Sequence, residues 1–202
     1  MSFAKLDKAF YTSSETLWLA KQLLGKVLVT ETNGEKTTGK IVETEAYIGP
    51  ADKASHAYNN RKTDRTKVMF EEGGLSYIYL CYGIHQMFNV VTGRAGIPHA
   101  ILIRGVEPLE GINVMLGRRK MKEKAYRLTA GPGCLAEAMG LNREHNGLSL
   151  TGNVVWIEDR GVVVPEKNIL ASPRVGIDYA EEYIKKPWRF RIKGSPWTSP
   201  AK

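Results

Sequence analysis

Asn33-Gly34 is the dipeptide that most narrows the folds open to this chain. Asn and Gly both tolerate the left-handed backbone that two-residue hairpin turns need, so the pair predicts a tight reversal between flanking strands. Those strands are residues 26–32 and 40–48, and a hairpin between them makes them antiparallel. A second pair, 75–82 and 86–92, meets around Tyr82-Gly83, and 100–106 reads as a further strand. Thr12 and Glu15 resemble a capping box ahead of an apolar helix face of Trp18, Leu19, Leu23 and Leu24 that stops at Gly25. Helical spacing returns at Leu109, Ile112, Met115 and Leu116, and again at Leu135, Ala138 and Met139. Residues 154–157, 162–164 and 188–193 read as late strands. Hairpins without regular βαβ alternation predict an α+β fold: a mixed or antiparallel sheet with flanking helices and a protruding hairpin. No repeat or linker-like tract divides the sequence, so residues 1–202 read as a single domain.

Charge narrows the partners. The chain carries 29 Lys plus Arg against 21 Asp plus Glu, a formal net charge of +8. So basic a surface attracts polyanions, nucleic acid first, then acidic membranes or proteins. The cations cluster at Arg61, Lys62, Arg65 and Lys67, at 118–127, and from Lys185 onward. In the last cluster Arg189, Arg191 and Lys193 alternate with Trp188, Phe190 and Ile192, which puts the cations on one strand face. Each cluster alone reads as a solvated face; three together favour phosphate binding. The two cysteines, Cys81 and Cys134, are far apart among apolar neighbours, and the four histidines are scattered, so no metal site or disulfide framework is expected. No apolar leader or membrane-length run is evident, and the expectation is a cytoplasmic protein without a membrane partner.

Three stretches carry candidate chemistry. In ETEAY (43–47) a period of two places Glu43, Glu45 and Tyr47 on one face. That face is either the solvated side of a half-buried strand or a general base beside an aromatic wall for a planar substrate. In YIYLCYG (77–83), Tyr77 and Tyr79 share a face and suit strand packing, whereas Tyr82 at a hairpin tip is placed to insert between bases. Asn89 in an apolar strand is a hydrogen-bonded core amide or a base-edge reader. Arg104, in LIRGVEPLEG (102–111), needs a carboxylate partner if buried.

ETEAY, a His nine residues beyond its Tyr, YIYLCYG, the Asn of the next strand and LIRGVEPLEG together resemble the alkyladenine DNA glycosylase family, also called 3-methyladenine DNA glycosylase. The likeness runs from about residue 6 to 199 and includes LTAGPG (128–133), PRVGI (173–177) and KGSPW (193–197). The resemblance implies excision of alkylated or deaminated purines from duplex DNA by cleavage of the N-glycosidic bond, without metal, cofactor or strand cleavage. It implies that Glu45 activates the attacking water, with Arg104 and the backbone carbonyl of Val175 helping to hold it. Tyr47, His56 and Tyr79 match the pocket for the extruded base, Asn89 the residue that excludes guanine, and Tyr82 the side chain that fills the vacated place in the helix. Arg61, Thr63, Arg65 and Met69 align with a segment that approaches DNA. Where the family commonly has Lys, this sequence has Cys134, so no phosphate contact is expected there. A monomer is the simpler expectation for an enzyme that scans DNA.

The same residues admit two other readings. A non-catalytic nucleic-acid-binding module would use the cations and exposed aromatics as a stacking platform, but leaves Glu43 and Glu45 beside that platform unexplained. A sugar hydrolase would use Glu43 and Glu45 as acid and base, although carboxylates at i and i+2 point the same way.

Overall fold

A computed structural model describes residues 3–199. Among the described residues nine strands form one antiparallel sheet. In chain order the elements are β1 (Ala4–Lys5), α1 (Lys8–Tyr11), α2 (Thr16–Gln22), β2 (Val27–Thr32), β3 (Glu35–Ile48), β4 (Ser76–Cys81), β5 (His85–Thr92), β6 (His99–Glu110), α3 (Ile112–Arg118), α4 (Pro132–Ala138), β7 (Val155–Asp159), β8 (Ile169–Ser172) and β9 (Arg189–Ile192). The spatial order is β1-β7-β2-β3-β6-β5-β4, with β9 joining β3 and β8 joining β9. The fold is α+β, as the hairpin signals predict. Asn33 and Gly34 both adopt positive φ at the β2–β3 reversal.

The long central strands β3 and β6 position everything that follows, and their pairing is interrupted at one place. Ile41 pairs with Val106, Glu43 with Gly105 and Thr44 with Ile103, so Val42 is an extra residue on β3 and Arg104 an extra residue on β6. A bulge re-aims the side chains around it. Here it lets Ile41 join Ala46 in the main core although they differ in parity, and Ile103 join Val106. Glu43, Glu45, Tyr47 and Arg104 are left on the other face. Gly105 is fixed by crowding: a Cβ there would lie 2.5 Å from the Trp197 carbonyl oxygen of the C-terminal segment crossing it.

The main core lies on the helical side. Leu19 of α2 and Leu23 at its C-cap, Met115 of α3 and Leu135 and Met139 at α4 pack on Ile41, Phe88, Ile101 and Ile103, all fully buried. Thr44 donates to the Ala20 carbonyl at 2.8 Å, tying β3 to α2. The opposite face carries smaller clusters, one of Val68, Met69, Tyr77, Val91 and Ala100 and another of Ala54, Ile177 and Ala180, with Tyr47 packed on the second. The candidate site lies between them.

Several local expectations fail for identifiable reasons. The capping box does not form: Thr12 ends α1 and its hydroxyl bonds to Ala9 O, while Glu15 caps α2 only through its backbone. Trp18 is half exposed, packed on Phe10 at the surface, because it lies one residue, about 100°, round the helix from the buried Leu19. Leu109 belongs to β6, which runs to Glu110 and stops at Gly111 in the left-handed region. Residues 162–164 are not a strand; Val162 and Val164 instead pack against Gly25, and the edge strand is β8. Arg189 is not on a solvated basic face but buried against Glu43.

Candidate active site

Glu45 sits in the middle of β3 and is fully buried. Its Oε2 accepts from the Tyr47 hydroxyl at 2.9 Å and from Arg104 Nη1 at 3.2 Å, and its Oε1 accepts from the Val175 backbone N–H at 2.9 Å. These donors come from three elements: β3 itself, the bulge on β6, and the loop after β8. The loop is fastened by Arg174, whose Nη1 and Nη2 bond Asp52 at 2.5 and 2.8 Å, with Nη1 also reaching Ala46 O at 2.9 Å. Its guanidinium lies over the Tyr47 ring, 4.6 Å from the centroid. Burial, and then the Glu45 charge, push the Tyr47 hydroxyl well above the usual phenol range, which keeps it a donor.

Tyr47, Arg104 and Val175 separate Glu45 from a cavity of about 400 Å³ that His56, Tyr77, Tyr79 and Asn89 also line. That is the size and character of a small-molecule pocket with aromatic walls. His56 stands edge-on to Tyr79 with centroids 4.5 Å apart. Arg65 Nη2 lies 3.0 Å from His56 Nε2, and His56 Nδ1 lies 2.8 Å from the Tyr77 hydroxyl. Arginine only donates, so Nε2 is the acceptor and the imidazole proton resides on Nδ1. Burial, then the charges of Arg65 and Arg61, lower the His56 pKa to about 4, so the ring is neutral at pH 7. Asn89 Nδ2 donates to the carbonyls of Tyr77 at 3.0 Å and Met87 at 3.1 Å, which orients the amide.

Tyr82 is 86% exposed at the β4–β5 tip, with positive φ at both Tyr82 and Gly83. Ile84 beside it is also exposed, and Ile84 N–H closes the turn on Cys81 O at 3.1 Å. Arg61, Thr63 and Arg65 are exposed and line a second cleft that shares Arg65, His56 and Tyr179 with the cavity. Met69, from the same segment, is 2% exposed, packed with Val68 and Tyr77, and lines the cavity. Cys134 lies on α4 with Arg119 Nη2 3.1 Å from its sulfur.

Glu43 does not line the cavity and is held elsewhere, by Arg104, Arg189 and Ser199, which removes the paired acid and base that a sugar hydrolase needs. Arg174, Ser199 and Tyr179 went unnoticed as site residues; only the runs PRVGI and KGSPW marked the segments that carry the first two. Among the described residues, no group of three His, Cys, Asp or Glu could hold a metal ion, and no helix is long and apolar enough to cross a membrane.

With this geometry in place, comparison with known proteins decides the family. The family model for methylpurine-DNA glycosylase matches residues 9–196. The chain belongs to the methylpurine-DNA glycosylase family. A Chlamydia felis protein provisionally named 3-methyladenine DNA glycosylase is 49% identical over 188 residues, covering 93% of this chain and 95% of its own length. Similarly named proteins of Alkaliphilus oremlandii and Bacillus cereus are 46% and 45% identical, covering 96% and 95% of this chain and 98% and 97% of their own lengths. Membership makes the chain a DNA N-glycosylase, a hydrolase of N-glycosyl bonds acting in DNA repair.

Proposed function

We propose that this glycosylase rotates alkylated or deaminated purines, such as 3-methyladenine, 7-methylguanine, hypoxanthine and ethenoadenine, out of duplex DNA and hydrolyses their glycosidic bond with a water activated by Glu45. The observation that carries the reading is a buried carboxylate, oriented by three donors, directly behind an aromatic cavity whose mouth lies beside an exposed tyrosine.

A base in a duplex is out of reach of any pocket, and extruding it costs a few kcal/mol, least where the lesion already pairs or stacks poorly. Tyr82 enters the vacated place and holds the gap open. The base stacks between Tyr47 on one side and His56 and Tyr79 on the other. A purine alkylated at N3 or N7 is cationic, and tyrosine faces attract it by about 0.5 to 2 kcal/mol. Neutral His56 adds no repulsion. Asn89, fixed by two carbonyls, excludes guanine by crowding its exocyclic amine.

As the bond to the sugar breaks, positive charge develops at the anomeric carbon. Glu45 stabilises that charge and takes the proton from the attacking water. Arg104 and the Val175 carbonyl, which takes part in no hydrogen bond among the described residues, hold that water. An alkylated cationic base leaves without further help, whereas hypoxanthine gains from protonation, so its release depends more strongly on pH. Exposed Arg61, Thr63 and Arg65 meet the DNA backbone. The enzyme acts as a monomer in the cytoplasm, at the nucleoid if the source is bacterial.

The test is single-turnover base release from duplexes carrying one hypoxanthine or one alkylated purine, with abasic sites scored apart from strand breaks. Abasic sites without breaks are expected. Lesion binding without release would replace the proposal with a non-catalytic binding module.

A further inference from the structure

Arg104 touches Glu45, yet most of what holds Arg104 lies outside the base pocket. Its three nitrogens go to three partners: Nη1 to Glu45 at 3.2 Å, Nε to Glu43 Oε1 at 3.0 Å and Nη2 to Ser199 Oγ at 3.1 Å. Glu43 in turn accepts from Arg189 Nε at 2.6 Å and from the Ser199 backbone N–H at 2.6 Å, with Ser199 Oγ at 2.9 Å. Arg189 Nη2 closes the ring on Ser199 O at 2.8 Å. Glu43, Arg104, Arg189 and Ser199 are all buried. The segment bearing Ser199 lies on β6 directly beside Arg104, where Gly105 leaves room only for the Trp197 carbonyl.

We propose that Glu43, with Arg189 and Ser199, is a positioning set that keeps the Arg104 guanidinium turned away from a two-pronged grip on Glu45, so that Glu45 stays available as the base. The inference rests on the reading of Glu45 given above. Two guanidinium groups, Arg104 and Arg189, bond two carboxylates, Glu43 and Glu45. Without the Glu43 anion both cations face one carboxylate. Arg104 then takes Glu45 bidentately, the strongest geometry for that pair, and Glu45 becomes a poorer proton acceptor. The other groups facing Glu45 are Tyr47 on β3, Tyr79 on β4, and Val175 N–H and Arg174 on the loop; Arg191 on β9 also faces Glu43.

The experiment measures DNA affinity and the pH dependence of single-turnover release for the wild type, Glu43→Gln, Glu43→Asp and Ser199→Ala, with Glu45→Gln as reference. Glu43→Gln is expected to bind DNA normally and to release base on the order of 10²-fold more slowly at neutral pH. Its acid limb should move to lower pH, because excess positive charge opposes protonation of the base. Glu43→Asp keeps the charge and should restore the acid limb. Ser199→Ala should slow release without moving that limb. A merely structural role predicts the opposite displacement, since a destabilised chain fails sooner in acid. An acid limb that rises or stays put in Glu43→Gln overturns the proposal. So do wild-type rates in both Glu43→Asp and Ser199→Ala if Glu43→Gln does not fold. Wild-type release by Glu45→Gln overturns the reading of Glu45 instead.

Discussion

Replacing Asp52 with Asn tests whether the loop that meets Glu45 is held by the Arg174 ion pair. Both side chains are fully inaccessible, and Arg174 donates twice to Asp52. Asp52 also accepts from Ala54 N–H at 3.0 Å and Ile48 N–H at 3.2 Å. Asp52→Asn leaves the guanidinium buried over Tyr47 and Trp188 without its bonded carboxylate, Glu45 being the nearest remaining anion. Breaking a buried pair from one side costs about 3–5 kcal/mol. For a chain of this length that lowers Tm by roughly 6–20 °C, at about 2–4 °C per kcal/mol. Asp52→Asn/Arg174→Gln removes both charges and should recover much of the loss. Base release should stay impaired in the double variant, because the Val175 N–H is no longer anchored against Glu45. Thermal unfolding of the three proteins, with release rates below each Tm, checks both halves. A fall of less than about 2 °C in Asp52→Asn, below what even 1 kcal/mol produces here, would refute the reasoning.

Tyr82→Ala should weaken lesion-containing duplex more than undamaged duplex, because only the extruded state uses the wedge; equal losses in a binding titration contradict that role. His56 should titrate near its lowered value of about 4, with Nδ1 protonated above it, and Arg65→Ala should raise the midpoint by removing a neighbouring cation. Imidazole 15N shifts read both, and an unmoved midpoint removes Arg65 as a cause. Because the unfolded chain binds the His56 proton more readily, this group makes stability fall as pH drops from about 6.5 towards 4, a slope absent in His56→Phe. If about five cations neutralise phosphates, log affinity should fall with log salt at a slope of about −4 to −5; a slope near zero contradicts groove binding.

The sheet was legible because turn chemistry is local. Asn33-Gly34 and Tyr82-Gly83 announce reversals without reference to anything distant. The β3–β6 bulge was not, because an extra residue on each strand depends on pairing between segments some 60 residues apart. That bulge explains why Glu43 and Glu45, on one face and two residues apart, have unlike surroundings: one bound by two arginines and Ser199, the other facing a pocket wall. Arg189 shows the same limit in reverse. Its alternation with Phe190 predicts a two-faced strand correctly, but not that the second face is covered by Ser199. Met69 looks like a loop residue until its loop folds back onto Tyr77.

The most direct test of Glu45 as the base is the rate of abasic-site formation by Glu45→Gln against the wild type on the same lesion duplex, with affinity measured in parallel. Gln keeps the shape and, with its oxygen in the place of Oε2, the hydrogen bonds from Tyr47 and Arg104; it gives up the one from Val175 N–H and cannot take a proton. Undiminished lesion binding with base release lost is the expected result. Release at the wild-type rate would contradict the mechanism.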